Sequence, residues 1–293
     1  MTFGDIPVGA RPRLPNLAVS DFDADGMSDI TVFRPATQQW FTRFSSSGFL
    51  TTSTTSFGLS GDITVNSDYD GDHRSDVAVY RPSTGQWFIL QSTTGTVRTV
   101  AWGLPGDVPM PGDYDGDGRT DFVIFRPSSA QWFIAYSSSV TGAVIQWGLP
   151  TDTPFATDFD GDGRADLAVY RPSTGQWFLK LSTTAFGATI VRQWGVGGDV
   201  PLVADFDGDG RSEIAVFRPA TGEWLGVDPI TTAFVINQQW GLNGDIPAAH
   251  DYDGDGLADP AVFRPSSGQW FIRQSHNGAL LTIGWGLSGD IPR

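Results

Sequence analysis

Asp113-Tyr114-Asp115-Gly116-Asp117-Gly118-Arg119-Thr120-Asp121 places four carboxylates within nine residues. Charges this close repel one another, so the loop stays compact only around something strongly positive, and hard oxygen donors point to Ca²⁺. The pattern returns at Asp21 to Asp29, Asp68 to Asp76, Asp158 to Asp166, Asp205 to Glu213 and Asp251 to Asp259, at intervals of 47, 45, 45, 47 and 46 residues. The 293-residue chain is therefore six copies of one unit, and a period near 46 through its length argues for one closed array instead of two domains.

One unit can be read from Asp107 to Gly148. Val108 to Gly112 is a short approach segment ahead of the acidic loop. Phe122-Val123-Ile124-Phe125-Arg126 is β-branched and aromatic with no polar alternation, the pattern of a strand covered on both faces. Pro127-Ser128-Ser129-Ala130 turns the chain, Gln131 to Tyr136 returns as a second strand, and Ala143 to Gly148 forms a further short strand. Side chains two residues beyond the last acid are small or β-branched (Thr31, Ala78, Val123, Ala168, Ala215, Ala261), and two residues later they are aromatic (Phe33, Tyr80, Phe125, Tyr170, Phe217, Phe263). Such a taper suits sheets that crowd toward an axis. Four antiparallel strands per unit, repeated six times, predict an all-β, six-bladed β-propeller with one Ca²⁺-binding loop per blade. The blades are expected at about 16–61, 62–106, 107–151, 152–198, 199–244 and 245–293. Leu17 to Ser20 reads as the first inner strand, and residues 1–15 as a tail that closes the ring or remains from a preceding repeat.

In each loop the first, third, fifth and ninth side chains can converge on one ion while the seventh carbonyl supplies another oxygen. The expected ligands are Asp21, Asp23, Asp25, Met27 and Asp29; Asp68, Asp70, Asp72, Arg74 and Asp76; Asp113, Asp115, Asp117, Arg119 and Asp121. The remaining copies supply Asp158, Asp160, Asp162, Arg164 and Asp166; Asp205, Asp207, Asp209, Arg211 and Glu213; Asp251, Asp253, Asp255, Leu257 and Asp259. An EF-hand would carry Glu at the twelfth place, where this chain has Val32, Val79, Ile124, Val169, Val216 and Val262. The weaker copies are expected to be loop two, where His73 replaces a glycine that favours positive φ, loop five, where Glu213 lengthens the last ligand, and loop one, stiffened by Ala24. Pro260 follows loop six directly. Up to six Ca²⁺ ions are expected, with a structural role.

The charge fits this reading. Of 33 acids, 24 lie in the loops and seven begin a later segment of the repeat (Asp5, Asp62, Asp107, Asp152, Asp199, Asp245, Asp290), leaving only Glu223 and Asp228. Six divalent ions would bring the formal charge from -15 to -3, so nucleic acid is not an expected partner. No Cys is present, which excludes disulfides, zinc thiolate sites and thiol catalysis. No apolar run approaches the ~20 residues that span a membrane. Ca²⁺ sites of this kind in extracellular modules fill at about 0.1 to 1 mM, so an extracellular or cell-surface location is expected, with the export signal outside this chain.

Two further features repeat in register. Arg34/Trp40, Arg81/Trp87, Arg126/Trp132, Arg171/Trp177, Arg218/Trp224 and Arg264/Trp270 stand six residues apart, and aromatic-Gly pairs recur at Phe57, Trp102, Trp147, Trp194, Trp240 and Trp285. The Arg and Trp set is either a candidate ligand site, with rings that stack on sugars and donors for hydroxyls, or buried Arg–Asp pairs with Trp packing between blades. His73, His250 and His276 share no repeat position and read as surface residues.

Gly112-Asp113-Tyr114-Asp115-Gly116-Asp117-Gly118-Arg119-Thr120-Asp121-Phe122-Val123-Ile124 and its copies resemble the FG-GAP/VCBS repeat family, the blades also found in integrin α-subunit heads and in a fungal lectin. The resemblance implies a β-propeller with Ca²⁺ on one rim and a role in adhesion or ligand recognition. The expected function is a non-catalytic, monomeric recognition or adhesion module for a cell-surface or matrix protein or glycan. A multivalent carbohydrate-binding lectin is the alternative, and a polysaccharide lyase-like enzyme the third reading.

Overall fold

The computed structural model describes residues 20–139 and 141–293. Within the third unit, Phe122–Arg126 is buried along its first four residues, as its unbroken apolar run requires. It pairs with Gln131–Ala135, which alternates buried and half-buried positions. Gly142–Gln146 alternates exposed with half-buried positions and forms the outer edge, while Val108–Pro109 forms the inner one. Burial thus peaks at the second strand and falls from there to the outer edge.

The other units repeat this plan, giving six four-stranded antiparallel sheets. The hairpin turns tolerate little change. Gly85 sits at φ +67, and a Cβ there would lie 2.2 Å from the Gly103 carbonyl oxygen. This is the backbone approach that lets the Trp102 N–H donate to the Gly85 carbonyl.

The apolar core lies between blades. Tyr69, Tyr80, Trp87 and Ile89 of the second sheet pack with Phe122 and Ile124 of the third. Ile30 and Val32 of the first sheet pack with Tyr252, Phe263 and Trp270 of the sixth. A blade therefore completes its own packing only when its neighbour is in place.

The ring closes through the first sheet, which takes its inner strand from the other end of the chain. Ile291–Pro292 pairs with Ile30–Arg34 in the register Phe33↔Ile291 and Val32↔Pro292. The Arg293 N–H then donates to the Thr31 carbonyl at 2.8 Å, and the Asp29 N–H to the Ser20 carbonyl at 2.9 Å. The end of segment 245–293, assigned on sequence to the sixth blade, thus belongs to the first sheet. Of the proposed first inner strand only Ser20 is described; the tail reading of residues 1–15 lies outside the described residues.

Bidentate arginine pairs hold each crossing between blades. Arg34 Nε and Nη2 donate to the two Asp290 oxygens at 2.8 and 2.7 Å, across 256 residues of sequence. The Asp290 side chain is 1% exposed. Arg81–Asp62, Arg126–Asp107, Arg171–Asp152, Arg218–Asp199 and Arg264–Asp245 repeat the arrangement at 19 residues' separation. The second Asp oxygen also accepts the N–H three residues earlier, as at Leu59 and Leu104, so each carboxylate fixes its own turn.

Removing one partner leaves a buried carboxylate unpaired, at a cost of about 3 kcal/mol. Arg171→Ala should lose that much in thermal or denaturant unfolding. Arg34→Ala should lose more, because it also loosens the strand that closes the ring. Equal losses would show that closure does not depend on the Arg34–Asp290 pair.

Candidate metal centres

The acidic loops are shaped first by their own backbone. In the third, Asp113 accepts the Gly116 N–H on Oδ1 at 2.6 Å and the Gly118 N–H on Oδ2 at 2.8 Å. Asp121 accepts the Tyr114 N–H at 2.8 Å and, from the turn between the third and fourth strands, the Ser137 N–H at 2.6 Å. The Ser137 hydroxyl donates to Asp117 at 2.9 Å, and the Ser138 hydroxyl to Asp115.

Ser45-Ser46, Ser92-Thr93, Ser182-Thr183 and Ser275 serve the same way in the first, second, fourth and sixth blades. Sequence reading missed this serine set. The available signal was its constant spacing, since Ser45, Ser92, Ser137, Ser182 and Ser275 each follow the ninth acid of their loop by 16 residues.

Each loop is also bonded to the one before it. The eighth-residue N–H donates to the first-residue carbonyl of the preceding loop: Ser28 to Asp251, Ser75 to Asp21, Thr120 to Asp68, Ala165 to Asp113, Ser212 to Asp158 and Ala258 to Asp205, at 2.6–2.8 Å. The six loops form one closed ring of hydrogen bonds. The seventh side chains lean across the same joints, with Arg119 over Gly71, Arg164 over Gly116 and Met27 over Gly254.

Among the described residues, carboxylate oxygens lie within 4.8 Å of one another in the sets Asp21/Asp23/Asp29, Asp68/Asp70/Asp76, Asp113/Asp115/Asp121, Asp158/Asp160/Asp166 and Asp205/Asp207/Asp209/Glu213. The first, third and ninth acids therefore converge. In the first four loops the fifth acid (Asp25, Asp72, Asp117, Asp162) instead meets the serine hydroxyl. Of these five sets, that of the fifth loop gathers all four acids.

The donor set fits a hard cation. Asp23 Oδ1, Asp70 Oδ1, Asp160 Oδ1, Asp253 Oδ2 and Glu213 Oε1 are buried oxygens with no hydrogen-bond partner. His73 at φ +68 and Ala24 at φ +64 occupy the left-handed region, so loops one and two carry backbone strain there.

Burial, partly offset by backbone N–H donors, pushes the ninth acids up: Asp76 and Asp121 to about 6, Asp29, Asp166 and Asp259 to about 7, and Glu213 to about 8. Burial likewise raises Asp21, Asp113, Asp158 and Asp205. His250, expected at the surface, lies edge-on to Tyr252 with centroids 6.0 Å apart, and burial lowers it to about 4.

The Arg and Trp set is engaged in structure. Trp40, Trp87, Trp132, Trp177, Trp224 and Trp270 are at most 1% exposed. Five donate their indole N–H to the backbone of their own blade, as Trp87 does to the Trp102 carbonyl at 2.7 Å. Each arginine is clamped by its aspartate, and Arg34, Arg81, Arg126, Arg171 and Arg264 also stack on a phenylalanine at 4.1–4.3 Å. The second aromatic series stitches blade to blade: Trp102 donates to Phe133, Trp194 to Leu225, Trp240 to Phe271 and Trp285 to Phe41. Of the two acids outside the repeats, Glu223 pairs with Arg218 at 3.1 Å and Asp228 with Arg211 at 3.3 Å.

The raised carboxyl values set a pH dependence. A folded-state value above the unfolded one means that the folded state binds more protons between the two. Stability without divalent ions is thus fully present below about pH 4 and is lost as pH rises through about 6 to 8. A cation bound there would replace those protons. Thermal melts in EDTA should fall steadily from about pH 5 to about pH 8.5, and saturating Ca²⁺ should flatten the profile.

The comparisons agree with this architecture. Three matches to the FG-GAP-like repeat cover residues 68–124, 113–169 and 158–216, each running from the first acid of one loop to the strand after the next. Solved structures with a similar fold include a lectin of Agrocybe aegerita that recognises non-reducing terminal N-acetylglucosamine, at 12% identity over 93% of this chain and 96% of that one, with a TM-score of 0.58. They also include virginiamycin B lyase from Staphylococcus aureus, at 9% identity over 91% and 87% of the two chains, TM-score 0.52. AztD from Citrobacter koseri is similar at 10% identity over 94% and 96%, TM-score 0.52. These identities establish a shared fold alone. A comparison with curated proteins finds no match. With its acidic loops matched as repeating units over half its length, the chain belongs to the FG-GAP-like repeat family.

Proposed function

We propose that this propeller is a Ca²⁺-stabilised, non-catalytic recognition or adhesion module that works outside the cell as a monomer. The observation that carries this reading is the closed hydrogen-bonded ring of loops. The converging carboxylates sit at its joints, so a cation held there would tie each blade to the next.

The first, third and ninth acids would hold the ion, joined by the fifth in loop five, and the ion would supply charge neutralisation. At free Ca²⁺ about tenfold above its dissociation constant each site contributes about 1.4 kcal/mol, and six contribute about 8, comparable to a domain's whole stability of about 5–15 kcal/mol. Absence of chemistry is supported by the two acids outside the repeats, both held by arginines. The partner would be a cell-surface or matrix protein or a glycan.

The lectin reading has one observation in its favour. A groove of about 240 Å³ opens between the fifth and sixth blades, lined by Val235, Ile236 and Gln238 of the fifth and by Leu257, Pro260, Arg273 and Gln274 of the sixth. Apolar walls beside amide and guanidinium donors suit a sugar ring with polar substituents. A lyase remains the third reading.

EDTA should lower the melting temperature by well over about 10 °C at neutral pH, given about 2–4 °C per kcal/mol for a chain of this size. An unchanged melt would overturn the structural role of Ca²⁺. A glycan array probed with and without Ca²⁺ separates the readings: Ca²⁺-dependent glycan capture lost in Arg273→Ala supports the lectin, and protein capture without glycan signal supports adhesion. Turnover of acidic polysaccharides would support the lyase.

A further inference from the structure

We propose that the fifth loop is the high-affinity cation site of the ring, the first to fill and the last to empty, while the other five form a weaker class. This rests on the reading that the loops bind Ca²⁺.

The fifth loop departs from its copies at three positions that act together. In the first, second, third, fourth and sixth blades the ninth acid has both oxygens engaged. One accepts the N–H of the loop's second residue, and the other accepts the N–H of the serine 16 positions on. Sixteen residues after Glu213 stands Pro229, which has no N–H to give. Glu213 accordingly accepts from Phe206 on Oε2 at 2.7 Å, while Oε1, on a side chain that is fully buried, has no partner. The longer side chain carries this uncommitted oxygen into the group formed by Asp205, Asp207 and Asp209.

The second departure is Asp228, one residue before the position of the serine that would hold the fifth acid. Arg211 takes over that task, donating to Asp209, and Asp228 accepts from the same guanidinium at 3.3 Å. Asp209 and Asp228 thus share the charge of one arginine, which Asp209 would otherwise meet alone. The third departure is the irregular register at Gly226/Val227, just ahead of this turn.

Four converging carboxylates against three in the first four loops, with a ninth acid that keeps one oxygen where its copies have both engaged, raise the number of ligands aimed at one point. The count of charged ligands is a quantity that tunes Ca²⁺ affinity. An advantage on the order of tenfold is expected.

The test is a calorimetric titration of EDTA-stripped, dialysed protein with CaCl₂, checked by thermal melts of each variant in saturating Ca²⁺. Wild type should show one tight site followed by a weaker class. Glu213→Gln should abolish the tight step and keep the weaker class, whereas Asp113→Asn should keep the tight step and remove one weaker site. The double variant Asp228→Ser/Pro229→Ser restores the missing donors and should move the fifth site into the weaker class. A single class of sites in wild type, or a tight step that survives Glu213→Gln and the double variant, would overturn the inference and leave Ca²⁺ binding standing. No Ca²⁺ binding at all would overturn both.

Discussion

Carboxylates confined at one rim, the first and ninth of each loop turned toward backbone N–H groups, set the terms for the rest of this propeller. The first and ninth acids of a loop are held by amides from the loop itself and from the turn above it. The carbonyl of the first acid then receives the amide of the next loop. Local loop geometry and ring closure are therefore one hydrogen-bonded system. The same burial that raises the carboxyl values leaves a set of oxygens without donors, a donor set that could hold a cation. At the opposite ends of the strands the charges are treated differently. Every arginine of the repeat meets a buried aspartate in a two-point pair, which neutralises both and fixes the crossing between blades.

Much of this was legible in the residues because repetition turns a weak local signal into a strong one. The apolar run from Phe122 to Phe125, the turn after Arg126 and the return strand from Gln131 follow from period and turn chemistry, and they recur six times. The Arg–Asp pairs were legible as a matched count. The inner strand supplied by Ile291–Pro292 was not, because the sequence at both ends offers material for it and only register decides which is used. Burial of the tryptophans also needed the structure: Trp87 with its N–H on a backbone carbonyl reads, in sequence, the same as a ring presented to a ligand.

The fifth blade shows how a departure from a repeat gains meaning in three dimensions. Along the chain Glu213 reads as a lengthened, poorer copy and Asp228 as a stray acid. In the fold both act on one loop: Glu213 converges with Asp205, Asp207 and Asp209, and Asp228 pairs with the arginine that holds Asp209. Substitutions 15 residues apart that meet at one site are more informative than either alone.

The two-ended construction of the first sheet bears on how the chain is made. During synthesis the edge of Ile30–Arg34 waits until Ile291–Pro292 has emerged, and the second to sixth blades can assemble before it does. Until then an unpaired strand edge and the buried faces of Ile30 and Val32 stay open, which is the feature through which nascent chains pair with one another. Residues 291–293 act as a latch on an otherwise assembled wheel.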